Sequence, residues 1–203
     1  MSSLLIFGAG GHGRVVADAA LAARQWLRVL ASDRDPSRCT GELLAGVALL
    51  PAYAATATAG AVHIAIGDGV ARAREVAALP AGLLATVIHP KASVSRHAHV
   101  APGCFIAAQA VVGPNATLGV CVIVNHGAVV DHDVSIGDYS HVAPLAALGG
   151  GAKLGRRVLV GSGASILPGV QIADDVVIGA GAVVAGDLAE AGTYAGVPAR
   201  RLK

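Results

Sequence analysis

The segment Val124-Asn-His-Gly-Ala-Val-Val130-Asp-His-Asp-Val-Ser-Ile136-Gly-Asp-Tyr-Ser-His-Val142-Ala-Pro-Leu-Ala-Ala-Leu148 repeats a large aliphatic at every sixth position. The register runs back through Leu118, Val112, Ile106, Val100 and Val94 to Ile88. It runs forward through Leu154, Val160, Ile166, Ile172 and Ile178 to Val184, and all 17 positions are Ile, Leu or Val. A second phase, two residues before each later member, is small: Ala92, Ala98, Cys104, Ala110, Ala116, Ala128, Ala146, Ala152, Ala164 and Ala182, with Val or Ser elsewhere. Residues two apart on a strand share a face. One large and one small inward side chain per hexad would fill a narrow triangular interior. Three hexads make one coil of about 18 residues, so the stretch predicts nearly six coils of a solenoid.

Working outward, the chain has 203 residues, 54% hydrophobic but only 3% aromatic. A core of Val, Ile, Leu and Ala suits thin layers better than a thick sandwich. The net charge is +2 without a basic run, so nucleic acid is not expected as a partner. Cys39, Cys104 and Cys121 show no CxxC spacing, which predicts neither a disulfide framework nor a zinc site. The start of the chain lacks the basic and apolar parts of a signal peptide. No apolar run reaches the length of a membrane span, about 18 residues. A cytoplasmic protein with no membrane partner is the expectation. Glycine often follows the aliphatic (Gly113, Gly119, Gly137, Gly155, Gly161, Gly179), where close backbone approach or unusual torsions are tolerated.

The first 85 residues read differently. Leu4–Phe7 is a strand leading into Gly8-Ala-Gly10-Gly11-His12-Gly13, and a helix follows from Arg14 to Arg24. Strands are expected at Leu27–Ala31 and Val62–Ile66, a helix at Val70–Leu79, and an extended segment at Ala85–Ile88. This alternation predicts a small parallel sheet. Gly8, Gly10 and Gly13 fit GxGxxG between strand and helix, with Asp33 about twenty residues on, the pattern that receives phosphates and a ribose. The unit is too short for both halves of a dinucleotide fold. The diphosphate of a nucleotide-sugar fits half a fold better, and NAD binding stays as an alternative.

Gly-Ala-Gly-Gly-His-Gly at 8–13, Ala-Ile-Gly-Asp at 65–68, Ile-His-Pro at 88–90 and Tyr-Ala-Gly-Val-Pro-Ala-Arg at 194–200 occur in this order around the hexapeptide repeat. The whole chain therefore resembles the sugar O-/N-acetyltransferase family, which includes sialic acid O-acetyltransferases and bacterial acetyltransferases of nucleotide-linked amino sugars. The resemblance implies an α/β Rossmann-like half domain (1–85) binding the nucleotide-sugar, an all-β left-handed parallel β-helix (86–187) and a C-terminal tail (188–203). It also implies a homotrimer with acetyl-CoA in grooves between neighbouring β-helices. Gly10, Gly11 and His12 would face the phosphates, Asp33 would approach the nucleoside, and Gly67 would border the same cleft.

Acyl transfer to an amine needs a neutral nucleophile and a base near neutral pKa, for which histidine is the natural candidate. Register separates the eight histidines. His132 and Asp133 fall on a corner, where adjacent side chains can converge. His126 takes the corner one hexad earlier, and His141 an outward strand position. The resemblance puts the general base on His132 and its modulator on Asp133, where the amino-sugar enzymes carry Glu. It places His141 beside the acetyl-CoA thioester and Gly161, Ser162, Gly179 and Ala180 along the pantetheine arm. His126 is a rival base. A zinc site is not expected, because His126, His132 and His141 are not one coil apart. The leading expectation is an acetyl-CoA-dependent N-acetyltransferase acting on the 4-amino group of a UDP- or GDP-linked amino sugar. The alternatives are O-acetylation of sialic acid or a related sugar, and a non-catalytic nucleotide-sugar-binding module.

Overall fold

The computed structural model describes residues 2–51 and 60–202. They form two compact units, Met1–Pro90 and Lys91–Lys203.

In the first unit, β1 (Ser3–Phe7) lies between β2 (Arg28–Ser32) and a later strand, with all pairings parallel. Leu4, Leu5 and Ile6 are each at most 1% exposed, so both faces of the strand are covered and it reads as an unbroken apolar run. Helix α1 spans Gly11–Ala23 and buries Val16, Ala17, Ala19 and Ala20. It begins three residues earlier than its glycines suggest, because Gly13 belongs in the first turn. A Cβ there would collide with the Gly8 carbonyl oxygen. After β2 comes a hairpin, β3 (Glu42–Leu44) and β4 (Val47–Ala48), turning at Gly46 with φ +81°. The third sheet strand, β5 (Ala61–Ile64), leads to α2 (Gly69–Ala77). Asp68 caps that helix, its Oδ1 accepting the Ala71 N–H at 2.7 Å. Val87–Ile88 is extended.

The second unit is a left-handed parallel β-helix. Each hexad supplies a short strand, and strands one coil apart pair in parallel: Val111 with Val129, Val129 with Ala147, Ala147 with Ser165. Three sheets result, one per side of the triangle. The aliphatics Val112, Leu118, Val124, Val130, Ile136, Val142 and Leu148 point inward and are at most 2% exposed. Left-handed backbone recurs at every sixth residue through the corners, including Gln109, Asn115, Cys121, Gly127, Asp133, Tyr139, Leu145 and Gly151. These lie two residues beyond the glycines singled out from sequence. Those glycines serve close approach instead, since a Cβ on Gly113 would lie 2.8 Å from the Asp131 carbonyl carbon.

The segment expected as a tail closes the solenoid. Gly192–Ala195 adds in parallel to Val176–Ile178, and Arg200–Arg201 returns antiparallel to it. An exposed row of unpaired backbone groups at the last coil is thereby covered. Among the described residues no helix is long and apolar enough to cross a membrane.

Candidate active site

The corner after Val130 carries Asp131, His132 and Asp133 in succession. Asp133 has φ +59°, a conformation that Asp tolerates better than most residues. In this backbone its carboxylate meets the preceding imidazole, with Nδ1 of His132 2.7 Å from Oδ2 of Asp133. Asn115, one coil earlier in the same left-handed phase, donates its amide N–H to Oδ1 of Asp133 at 3.1 Å. On the other flank, Oδ1 of Asp131 accepts the backbone N–H of His132 at 2.7 Å. The carboxylate of Asp133 is thus held from two sides, and the ring beside it has one well-defined partner.

The electrostatics follow. The hydrogen bond to Asp133, and then the charge of Asp131, raise the His132 pKa above the usual imidazole value. The bonds from His132 and then Asn115 hold the Asp133 carboxyl below its usual range. With Nδ1–H donated to Asp133, the Nε2 lone pair is the one left to take a proton. Both side chains are more than half exposed, 58% and 55%. An acceptor group can reach them.

His141 sits on the strand His141–Val142, as its register requires. Nε2 of His141 lies 3.2 Å from Nδ2 of Asn125. Oδ1 of Asn125 accepts the His126 backbone N–H at 2.9 Å, which turns the amide nitrogen toward the ring. With the amide turned this way, Asn125 can donate to Nε2 of His141 when the ring carries its proton on Nδ1. Sequence reasoning passes over both Asn115 and Asn125. Their signal is a separation of 18 or 16 residues from a site residue, close to one coil. His126 occupies a different corner from His132, and the fold does not bring the two to one site. Among the described residues, no three His, Cys, Asp or Glu side chains are placed to hold a metal ion.

Farther along the solenoid, the N–H groups of Gly161 and Gly179 are spent on the coil ladder, donating to Ile178 and Tyr194 carbonyls at 2.8 Å each. Ser162 and Ala180 are the corner residues next to them.

In the first unit, a cavity of about 490 Å³ opens at the carboxyl ends of the parallel strands. It is lined by Ala9, Gly10, Gly11, Arg14, Arg38, Glu42, Leu43 and Leu49. A Cβ on Gly10 or Gly11 would meet nothing within 4 Å, so no packing demands glycine there. Gly8, in contrast, has φ +119° and could not carry a side chain. Gly10 is the N-cap of α1 and supplies no side-chain cap. His12 lies in the first turn of α1 and does not line the cavity. Asp33 spends both carboxylate oxygens on backbone amides, Oδ2 on Ala9 at 2.7 Å and Oδ1 on Asp35 at 3.0 Å. It shapes the glycine loop directly. Gly67 does not line the cavity; its carbonyl accepts a hydrogen bond from buried Arg72 at 2.9 Å. Arg14 and Arg38 escape a reading of the sequence, because only the fold places them together.

Comparison with known proteins decides the family. Residues 3–79 match the PglD N-terminal domain, and residues 151–186 match the bacterial transferase hexapeptide (six repeats) family. The acetyltransferase domain of PglB from Neisseria gonorrhoeae is 32% identical, with 100% of both chains covered and a TM-score of 0.90. A histidine variant of GDP-perosamine N-acetyltransferase from Caulobacter crescentus, solved with CoA and GDP-perosamine, is also 32% identical. It covers 100% of this chain and 98% of its own, with a TM-score of 0.92. The chain belongs to the sugar O-/N-acetyltransferase family. WeeI from Acinetobacter baumannii aligns over the full length of both chains at 25% identity and a TM-score of 0.80. This sugar acetyltransferase is thus an acyltransferase built on a hexapeptide β-helix, with a PglD-type first unit.

Proposed function

We propose that this enzyme transfers the acetyl group of acetyl-CoA to the 4-amino group of a UDP- or GDP-linked amino sugar, with His132 as general base. The observation that carries the assignment is the His132–Asp133 pair, Nδ1 to Oδ2 at 2.7 Å on an exposed corner. Acetyl-CoA supplies a thioester carbonyl. Nε2 of His132 takes a proton from the amine as the N–C bond forms. The same nitrogen returns that proton to the departing sulfur as the C–S bond breaks, so the base is regenerated. Asp133 keeps the ring in the tautomer that presents Nε2 and stabilises the imidazolium that forms midway.

The glycine loop supports binding of the nucleotide-sugar diphosphate. Gly10 and Gly11 leave their backbone open, and Arg14 and Arg38 bring positive charge to the same cavity. Asp33 serves this site by holding Ala9. For the pantetheine arm, the corner residues Ser162 and Ala180 are the better hydrogen-bonding candidates of the four expected. We further propose a homotrimer, supported by outward apolar residues Val111, Val129 and Leu159 on the solenoid faces.

The test is thiol release from acetyl-CoA against UDP- and GDP-linked 4-amino sugars and free sialic acid, with His132→Ala in parallel. Turnover with an amino sugar, reduced about 10²- to 10⁴-fold in the variant, is expected. Turnover with sialic acid alone would assign O-acetylation instead. Undiminished rates in the variant would remove His132 as base and leave His126 or His141.

A further inference from the structure

Gly149, Gly150 and Gly151 are consecutive, and each is glycine for its own reason. A Cβ on Gly149 would lie 2.7 Å from the Pro168 backbone nitrogen, and Gly151 has φ +70°. Gly150 has neither constraint. The three atoms nearest to a Cβ there all belong to the imidazole of His132: Nε2 at 2.5 Å, Cε1 at 2.6 Å and Cδ2 at 3.2 Å. Gly150 lies one coil beyond His132, at the same corner position. Ala108, Pro114, Val120 and Ala180 occupy the corresponding position elsewhere in the solenoid, so its backbone accommodates a side chain. The tightest contacts a side chain at Gly150 would make are with that ring.

We infer that Gly150 is a positioning residue whose missing side chain is the seat for the Nε2 edge of His132. The ring is held at its Nδ1 edge by Asp133 at 2.7 Å and rests over bare backbone at the other edge. A methyl group at 150 would lie under 3.0 Å from two ring atoms, and the ring, at the end of an exposed side chain, is the group that must give way. The imidazole must rotate or lift, and either motion lengthens the bond to Asp133. The charged groups facing His132 are Asp131 and Asp133; the coil neighbours on either side, Pro114 and Gly150, carry no charge. This inference rests on His132 as the base only for its effect on rate.

The experiment compares wild type, Gly150→Ala and the control Gly186→Ala. Gly186 likewise stands two residues after an inward aliphatic, Val184, at the end of the repeat, and a Cβ there would meet nothing within 4 Å. The first readout is the His132 imidazole titration by NMR in the protein without substrates, its resonance assigned by loss in His132→Ala. The second is the pH profile of kcat/KM. Gly150→Ala is expected to move the His132 titration downward, because the bond to Asp133 is the largest influence raising it. Its kcat should fall on the order of 100-fold, the cost of misplacing a catalytic group by about 1 Å. Gly186→Ala should match wild type in both. An unchanged His132 titration in Gly150→Ala overturns the inference, whatever happens to the rate, since a rate loss alone would mean that the methyl blocks substrate. A shifted titration with wild-type kcat would leave the seat standing and overturn His132 as base.

Discussion

At the scale of single residues, one backbone torsion organises the chemistry. Asp133 adopts the left-handed conformation that recurs at the corners from Gly103 to Gly181, and that turns its carboxylate onto the ring that precedes it. The carboxylate and the imidazole it holds are therefore neighbours in sequence, which is why the pair is legible in the amino-acid string. Asn115, Asn125 and Gly150 are not legible there, because they reach the site through the pitch of the coil. The same geometry fixes a pH dependence. As the proposed base, His132 would act only when neutral, and the bond to Asp133 raises its pKa, so the acid limb of kcat/KM should lie above the usual imidazole value. Asp133→Asn keeps a side chain that tolerates the left-handed corner but removes the charge. It is expected to move the acid limb to lower pH and to lower kcat on the order of 10-fold, less than loss of the base itself. A pH–rate profile with the limb unmoved would separate Asp133 from the base.

At the scale of elements, sequence is most informative where the period is strict and least where a turn decides the path. Strands β1, β2 and β5 lie within two residues of their expected ends at every terminus. The β3–β4 hairpin escapes the pattern, because its strands are two or three residues long and carry no periodic signal. It contributes Glu42 and Leu43 to the cavity, which explains why that cavity cannot be drawn from sequence. The C-terminal return is hidden for a related reason: no hexad register continues past Val184. Within β5, His63 is 1% exposed and donates Nδ1–H to the Ala85 carbonyl at 2.9 Å. Burial drives its pKa down to about 4, against a partial rise from the Ala85 bond and a smaller lowering by Arg72. The folded chain keeps this ring neutral while the unfolded chain protonates near 6.5. Stability from this residue is complete above pH 6.5 and is lost as pH falls toward about 4. His63→Gln, which retains a neutral donor, should flatten the fall in Tm across that window. A slope identical to wild type would show that other groups govern it.

At the scale of the whole molecule, the three faces of the solenoid are chemically unequal. Along one sheet the outward residues are His99, Thr117, Ser135, Lys153 and Gln171, all polar. Along a second they include Val111 and Val129, adjacent across one coil and 38% and 36% exposed. Along the third they include Leu159 and Val177, adjacent in the same way and each 37% exposed. Two apolar faces meeting at a shared edge are what a three-fold assembly uses, because each copy must offer two different surfaces to its neighbours. A two-fold dimer would need only one. The subunit mass of 20.0 kDa gives a trimer of 3 × 20.0 = 60.0 kDa. Sedimentation equilibrium at micromolar concentration should return that value for wild type. The double variant Val111→Glu/Val129→Glu places a carboxylate on each of two neighbouring outward positions, where desolvating it on assembly would be unfavourable. It should sediment near 20.0 kDa with an unchanged far-ultraviolet spectrum, since neither side chain enters the interior. A wild-type protein that sediments as a monomer, or a double variant that remains trimeric, would show that these faces do not hold subunits together. The grooves proposed for acetyl-CoA would then have to lie within a single chain.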